Sequence, residues 1–259
     1  MINYGNKMKK KILILSDTHC GHKWGLAHQS DCVNKEQRRA WRHFREGIQK
    51  YKPFDAVFVN GDAIEGNSKK NGGVELITTD RLEQSNMAMR VLNYVRDSSP
   101  KSHWAFTRGT PYHTGNEEDF EDIIAKEFGA KIDDSLLVRI GGVTFDLKHK
   151  VGSASLPHGR SSSPARDVVL SMLKEVKEGR PKADVFLRSH VHYYSLVEVM
   201  NRIAITTPAL QINSGYGQRQ CSGMTDWGFL VCEVENGNVL RWIKCIESTP
   251  IKPEKVLEL

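Results

Sequence analysis

Six side chains along this sequence could hold divalent metal: Asp17 and His19, Asp62, His149, and His190 with His192. Residues two apart in extended chain project to the same side, so Asp17 with His19, and His190 with His192, can each converge on one ion. Gly61 lets the backbone turn sharply before Asp62 and leaves its carboxylate at a rim. Carboxylate and imidazole donors without thiolate suit manganese, iron, nickel or zinc better than calcium or magnesium alone. Six donors exceed one tetrahedral zinc, and a bridging carboxylate can serve two ions. Two ions about 3.5–4 Å apart would polarise a phosphoryl group and hold a hydroxide for in-line attack. Singly, each signal has a plainer reading: Asp62 as a turn residue, His149 as a hydrogen-bond donor within a sheet, the paired histidines as a half-exposed strand end. What joins them is their shared placement just after strand-like runs.

Those runs alternate with helix-like segments, the pattern of a layered α/β protein. Residues 11–16 form a continuous apolar run, as in a strand buried on both faces. Residues 34–50 carry Ala40, Trp41, Phe44 and Ile48 at helical spacing. Residues 55–59 and 103–107 read as strands, and 79–96 and 116–128 as helices. Two strands, 136–140 and 143–148, flank Gly141-Gly142, a hairpin signal. A helix follows over 163–177, with Pro164 in its first turn. Residues 184–187, 194–200, 203–207, 229–234 and 239–246 read as further strands. The ligand candidates therefore sit at the carboxyl ends of strands, where sites in open α/β sheets assemble.

The chain has 259 residues, 39% hydrophobic and 26% charged, with a formal charge of +6. This is a globular mixture, which excludes general disorder, and no repeat or low-complexity linker divides residues 1–259 into two domains. The apolar run at 12–15 is too short for a membrane span or a signal-peptide core, so no membrane partner and a cytoplasmic location are expected. Five scattered cysteines without a CxxC pair suggest neither a disulfide framework nor a thiolate zinc site.

Taken in order, the motifs resemble those of the calcineurin-like metallophosphoesterase superfamily: DxH, GDxxx, GN followed by H, D or E, a later H, and GHxH. Here they read Asp17-Thr18-His19, Gly61-Asp62-Ala63-Ile64-Glu65-Gly66, a variant third motif, His149, and Ser189-His190-Val191-His192. The resemblance covers residues 11–192 and implies a four-layer αββα sandwich of two mixed sheets, with the strands of 194–246 in the second sheet. It implies that Asp17, His19, Asp62 and His192 hold one metal, and that bridging Asp62, His149 and His190 hold the other. The cofactor implied is a pair of divalent transition ions, manganese first, with iron, nickel or zinc as alternatives. The activity implied is hydrolysis of phosphate mono- or diesters by a metal-bridging hydroxide.

The third motif departs from the family pattern, reading Arg108-Gly109-Thr110-Pro111-Tyr112-His113. Thr110 takes the place of the usual metal-binding asparagine, and His113 is the candidate for stabilising the transition state or protonating the leaving oxygen. This GTxxH form resembles phage-borne and bacterial members. In a competing register, Gly115-Asn116-Glu117 supplies Asn116 as the ligand. Arg108, Tyr112 and Arg160 are candidates for binding substrate. Around them Lys23, Lys69, Lys70, Lys150, Arg166, Arg219, His22 and His158 could face a nucleotide or nucleic acid, and Trp24, Tyr193 and Tyr216 could stack on a base. Alternative activities are a nuclease acting on DNA or RNA, motivated by the basic balance, and a catalytically impaired binding scaffold, motivated by Thr110. The oligomeric state is left open.

Overall fold

A computed structural model describes residues 9–68, 72–114, 119–154, 156–212 and 225–248. Strand β1 (Lys10–Leu15) is followed by α1 (Lys35–Tyr51), β2 (Ala56–Asn60), α2 (Arg81–Ser98), β3 (His103–Thr107), a single helical turn α3 (Pro111–Thr114), α4 (Phe120–Glu127) and β4 (Lys131–Asp133). Then come β5 (Ser135–Ile140), β6 (Val143–Lys148), α5 (Ser162–Glu178), β7 (Val185–Arg188), β8 (Ser195–Val199), β9 (Arg202–Thr206), β10 (Asp226–Glu235) and β11 (Asn238–Ser248). They form a six-stranded sheet, in order β11-β10-β1-β2-β3-β4, and a five-stranded sheet, in order β5-β6-β7-β9-β8. Both sheets are mixed: β1, β2, β3 and β4 run parallel and β10 antiparallel, while β6, β7 and β9 are parallel between antiparallel β5 and β8.

Side-chain alternation along β1 explains the layering. Ile12 and Ile14 point into the space between the sheets, with Phe58 against Phe145, Leu147, Leu187 and Ile205. Leu13 and Leu15 point the other way, onto a layer that includes Trp41, Phe44, Val91, Val95 and Ile124 from α1, α2 and α4. The far face of the second sheet places Phe186 and Ala204 against Val168 of α5. The result is helices, sheet, sheet, helix. Helix starts follow local chemistry: the Asn34 side chain accepts from Gln37 N–H at 2.8 Å, and Asp80 and Asp119 cap α2 and α4 in the same way. No helix among the described residues is long and apolar enough to cross a membrane.

Two expectations change. The strands beyond residue 194 do not all join the second sheet: β8 and β9 do, whereas β10 and β11 return to the first, where β10 pairs antiparallel with β1. Burial of nearly every residue of β10 suits a position inside a sheet, and β11 takes the edge. The helix expected from residue 116 starts at Phe120, because Asp119 supplies the capping oxygen to Glu121 N–H.

Candidate metal centre

Five parallel strands, β1, β2, β3, β6 and β7, end at one rim, and their following loops carry every candidate ligand that the structure describes. The first two loops lie side by side, with Asp17 N–H donating to Gly61 O at 3.0 Å and His19 N–H to Asp62 O at 3.0 Å. In the second sheet, Ser189 N–H donates to His149 O at 2.8 Å, placing the β7 loop against the β6 loop. The two sheets meet through His190 N–H, which reaches Asp17 Oδ1 at 3.2 Å.

The outcome is two compact donor groups, Asp17-His19-His192 and Asp62-His149-His190. A third grouping, His19-Glu65-His113, shares His19 with the first. Asp17, His19, Asp62, His149 and His192 are buried and His190 is partly exposed. His19 Nε2 and His192 Nε2 are 3.3 Å apart, and His192 Nε2 is 3.3 Å from Asp17 Oδ1. Five of the six positions have left-handed backbone: Asp17 (φ 48°), His19 (44°), Asp62 (52°), His190 (74°) and His192 (55°). Such conformations cost about 1–3 kcal/mol each in residues other than glycine and concentrate at functional sites.

The donors fit a metal. His149 Nδ1 lies 2.7 Å from Asn60 O, and a carbonyl cannot donate, so Nδ1 carries the proton and a neutral ring has its lone pair on Nε2. That lone pair faces Asp62 Oδ2 at 2.9 Å, yet the approach satisfies a hydrogen bond for neither atom. Two buried acceptors this close need a positive charge between them, either a proton or a cation. His19 Nδ1, 2.8 Å from Glu65 Oε2, is likewise left without a hydrogen bond.

Electrostatics follow from this crowding. Burial works against a charged His149, but the Asp62 and Asp17 carboxylates outweigh it and raise the imidazole to about 10. Burial favours a neutral Asp62, yet His149 and His113 hold it well below the usual carboxylate range, and His192 and His149 do the same more mildly for Asp17. His19 is driven well below its ordinary value by burial and by His113 and His192, which keeps it neutral and ready to ligate. Burial likewise lowers His190, with His149 adding to the effect.

The variant third motif is built around Asp62. Thr110 N–H donates to Asp62 Oδ1 at 2.7 Å, with the Thr110 hydroxyl 3.4 Å from the same oxygen. Pro111 then opens the single turn of α3, whose first carbonyl, that of Thr110, accepts His113 N–H at 2.9 Å. His113 Nδ1 donates to Glu65 O at 2.6 Å, and Nε2 lies 3.8 Å from Asp62 Oδ2. Burial lowers His113, but Asp62 and Glu65 outweigh it and the net shift is upward, toward a protonated ring.

The remaining candidates fall into several groups. Tyr112 is exposed and meets the His113 ring edge-on at 4.9 Å. Arg108 differs from its expected place on substrate: its guanidinium is engaged by Asp119 and Asp122, with Asp133 and Asp134 within 4.0 Å. Four carboxylates within the fold thus balance its charge. Arg160 stacks 4.2 Å over the Tyr193 ring, and Tyr193 is only 1% exposed, so it packs rather than offering a face to a base. His22 is buried and accepts from Trp24 N–H at 3.1 Å, and Trp24 Nε1 donates to Glu75 at 3.2 Å. Lys150, His158 and Arg166 are exposed, and Lys23 reaches Val74 O. Lys69, Lys70, Asn116, Tyr216 and Arg219 lie outside the described residues.

Two buried carboxylates escape the sequence reading. Glu65 closes the second motif and touches both His19 and His113. Glu121, from α4, accepts N–H groups beside Asp62 and Thr110 and is raised to about 7 by burial and by Asp62. Glu65 stands at a motif position and was findable from sequence, whereas Glu121 sits in an acidic first turn that reads as ordinary dipole compensation.

No protein-family model matches the chain, and no curated protein does. Solved structures that are similar to it include a single mutant of Vps29 from Entamoeba histolytica, 12% identical, covering 87% of each chain at a TM-score of 0.45. A predicted phosphoesterase from Streptococcus pneumoniae is 13% identical over 88% of this chain and 84% of its own, at a TM-score of 0.39. An archaeal phosphodiesterase is 16% identical over 90% and 98%, at a TM-score of 0.42. Likeness at this level says nothing of activity.

Proposed function

We propose that the chain is a metal-dependent phosphoesterase of the calcineurin-like type, acting on phosphate mono- or diesters with two divalent transition ions. The observation that carries this reading is the pair of buried three-donor groups, Asp17-His19-His192 and Asp62-His149-His190, in the second of which His149 Nε2 and Asp62 Oδ2 lie 2.9 Å apart. Asp17, His19 and His192 would hold one ion, and His149 and His190 the other, with Asp62 shared. When bound, such ions supply Lewis acidity toward a phosphoryl oxygen and make water a nucleophile near neutral pH.

The chain's own groups do the rest. Thr110 N–H occupies Asp62 Oδ1, which would leave the other carboxylate oxygen for metal. The Glu65 carbonyl fixes the His113 tautomer, turning Nε2 toward the site as donor for a departing oxygen, and the raised affinity of His113 for its proton suits a general acid. Arg108 is assigned to holding α4, not to gripping phosphate.

The test uses metal-stripped protein reloaded with manganese, iron, nickel or zinc and offered an aryl phosphate monoester, an aryl diester, cyclic nucleotides, and single- and double-stranded nucleic acid. Turnover of at least one ester is expected, lost in folded Asp62→Asn, with His113→Gln lowering kcat by about 10²–10⁴-fold. Full activity in folded Asp62→Asn would overturn the reading. Cleavage of internal linkages with steep salt dependence would place the activity among nucleases.

A further inference from the structure

Glu121 is 1% exposed, and both of its oxygens are committed. Oε1 accepts Ala63 N–H at 2.6 Å and Oε2 accepts Gly109 N–H at 2.7 Å. One carboxylate thus ties the residue just after Asp62 to the residue just before Thr110. The ladder between β2 and β3 ends at Asn60 and Thr107, so these two loops have already left the sheet where Glu121 holds them. Within that span Thr110 N–H reaches Asp62 Oδ1 at 2.7 Å, and Gly109 passes Asp62 so closely that a Cβ would lie 2.0 Å from the same oxygen.

The helix bearing Glu121 is itself oriented. Asp119 caps it by accepting Glu121 N–H at 3.0 Å, and Arg108 engages both Asp119 and, through Nη2 at 2.9 Å, Asp122. Ile124 and Ala125, three and four positions on and so on the same face as Glu121, anchor it in the core beneath the first sheet. Arg108, Glu121 and Thr110 therefore form one connected arrangement whose far end is Asp62.

We propose that Glu121 is a positioning residue: it clamps the loops after β2 and β3 together, so that Thr110 N–H holds Asp62 Oδ1 and the other carboxylate oxygen faces the metal site. The proposal rests on the reading of Asp62 as a shared ligand. The clamp uses a carboxylate because the two N–H groups meet different oxygens of the same side chain, so each oxygen must accept. A glutamine of nearly the same shape offers one oxygen and sets an NH₂ donor against the second N–H.

Glu121→Gln in the full chain tests this through three readings. In metal-stripped protein, the amide resonances of Ala63, Gly109 and Thr110 are compared with wild type. Manganese affinity is measured by calorimetry, and kcat and KM on an aryl phosphate diester. The Thr110 amide is expected to shift although it does not touch Glu121, manganese affinity to fall about 10–100-fold, and kcat to fall with KM little changed. Folded Glu121→Gln with wild-type Thr110 resonance and manganese affinity would reduce Glu121 to a structural residue and overturn the proposal. If that variant does not fold, Glu121→Asp, which keeps the charge but is too short to reach both amides, is read by the same measurements with the same two outcomes. A wild-type protein that hydrolyses no ester, while Glu121→Gln still shifts Thr110 and weakens manganese, would sink the phosphoesterase reading and leave the clamp standing.

Discussion

Replacing Gly109 with alanine isolates one demand of the third motif, the close passage of its backbone over Asp62. The added Cβ would lie 2.0 Å from Asp62 Oδ1, 2.4 Å from Asp62 N and 2.9 Å from its Cα, where ordinary contact begins near 3.4 Å. Gly109 does not adopt a positive φ, so the conflict is steric and not conformational. The atoms met first are backbone and a carboxylate oxygen already held by Thr110 N–H at 2.7 Å, so relief requires a loop to move by more than about 1 Å. Overpacking of this kind costs about 1–3 kcal/mol of stability, a sizeable share of a total of about 5–15 kcal/mol but less than all of it. Misplacing a reacting group by about 1 Å costs on the order of 100-fold in rate. Gly109→Ala is therefore expected to fold, with a melting temperature lower by several degrees, and to lose about 100-fold in kcat on an aryl diester. Initial rates on manganese-loaded protein, set beside thermal denaturation of the same samples, separate the two effects. A variant within about threefold of wild-type kcat, with wild-type manganese affinity, would refute the reasoning, because Asp62 could then move without consequence.

Three further outcomes follow from the charges and the buried polar groups. Because a ligating imidazole must be neutral, manganese binding near pH 7.5 should release about one proton from His149, seen as a dependence of binding enthalpy on buffer ionisation enthalpy; no proton release would argue against His149 as a ligand. The same raised value, about 10 against an unfolded value near 6.5, adds stability to metal-stripped protein that is fully present below pH 6.5 and lost as pH rises toward 10, to be checked by urea denaturation across that window. Asn60→Ala removes hydrogen bonds with Thr107 at 2.7 Å, Ser189 at 2.6 Å and Lys148 O at 3.2 Å, and should cost about 3 kcal/mol in urea denaturation; a loss below about 1 kcal/mol would mean that this group does not join the sheets.

The elements that sequence predicts best are those whose apolar pattern meets a single layer. Strand β3 has the expected bounds, and Gly141-Gly142 forms the expected turn with φ of 58° and 83°. What the pattern does not carry is partnership. An apolar run such as β10 looks the same whether it joins one sheet or the other, and its pairing with β1 is decided by chain path. The short strand β4 and the single turn α3 are too brief to show a period. Arg108 is the clearest case at the site. Its place inside a motif suggests phosphate, but the carboxylates that surround it arrive from positions 119, 122, 133 and 134, which only the folded chain brings together. Glu121 is hidden for the same reason, since an acidic residue in a helix's first turn carries no mark of the two amides it meets.

The strained backbone and the polar groups beneath it belong to one device. Asp17, His19, Asp62, His190 and His192 all turn through positive φ immediately after their strands, and conformations of that cost persist only where the surroundings over-determine them. Directly before these turns stand Ser16, Asn60 and Ser189, joined through Thr207: Ser16 to Thr207 at 2.7 Å, Thr207 to Ser189 at 2.8 Å, and Ser189 to Asn60 at 2.6 Å. A buried chain of hydroxyls and an amide thus crosses from one sheet to the other under the donor groups, and each link satisfies polar atoms that would otherwise be costly there. His149, whose backbone does not turn this way, is fixed by the Asn60 carbonyl at 2.7 Å. Asn60 therefore acts twice on the Asp62-His149-His190 group, through its side chain on Ser189 beside His190 and through its backbone carbonyl on His149. The Ser189 hydroxyl supplies the link between the sheets. Removing that hydroxyl should loosen the two donor groups relative to each other more than it loosens either one.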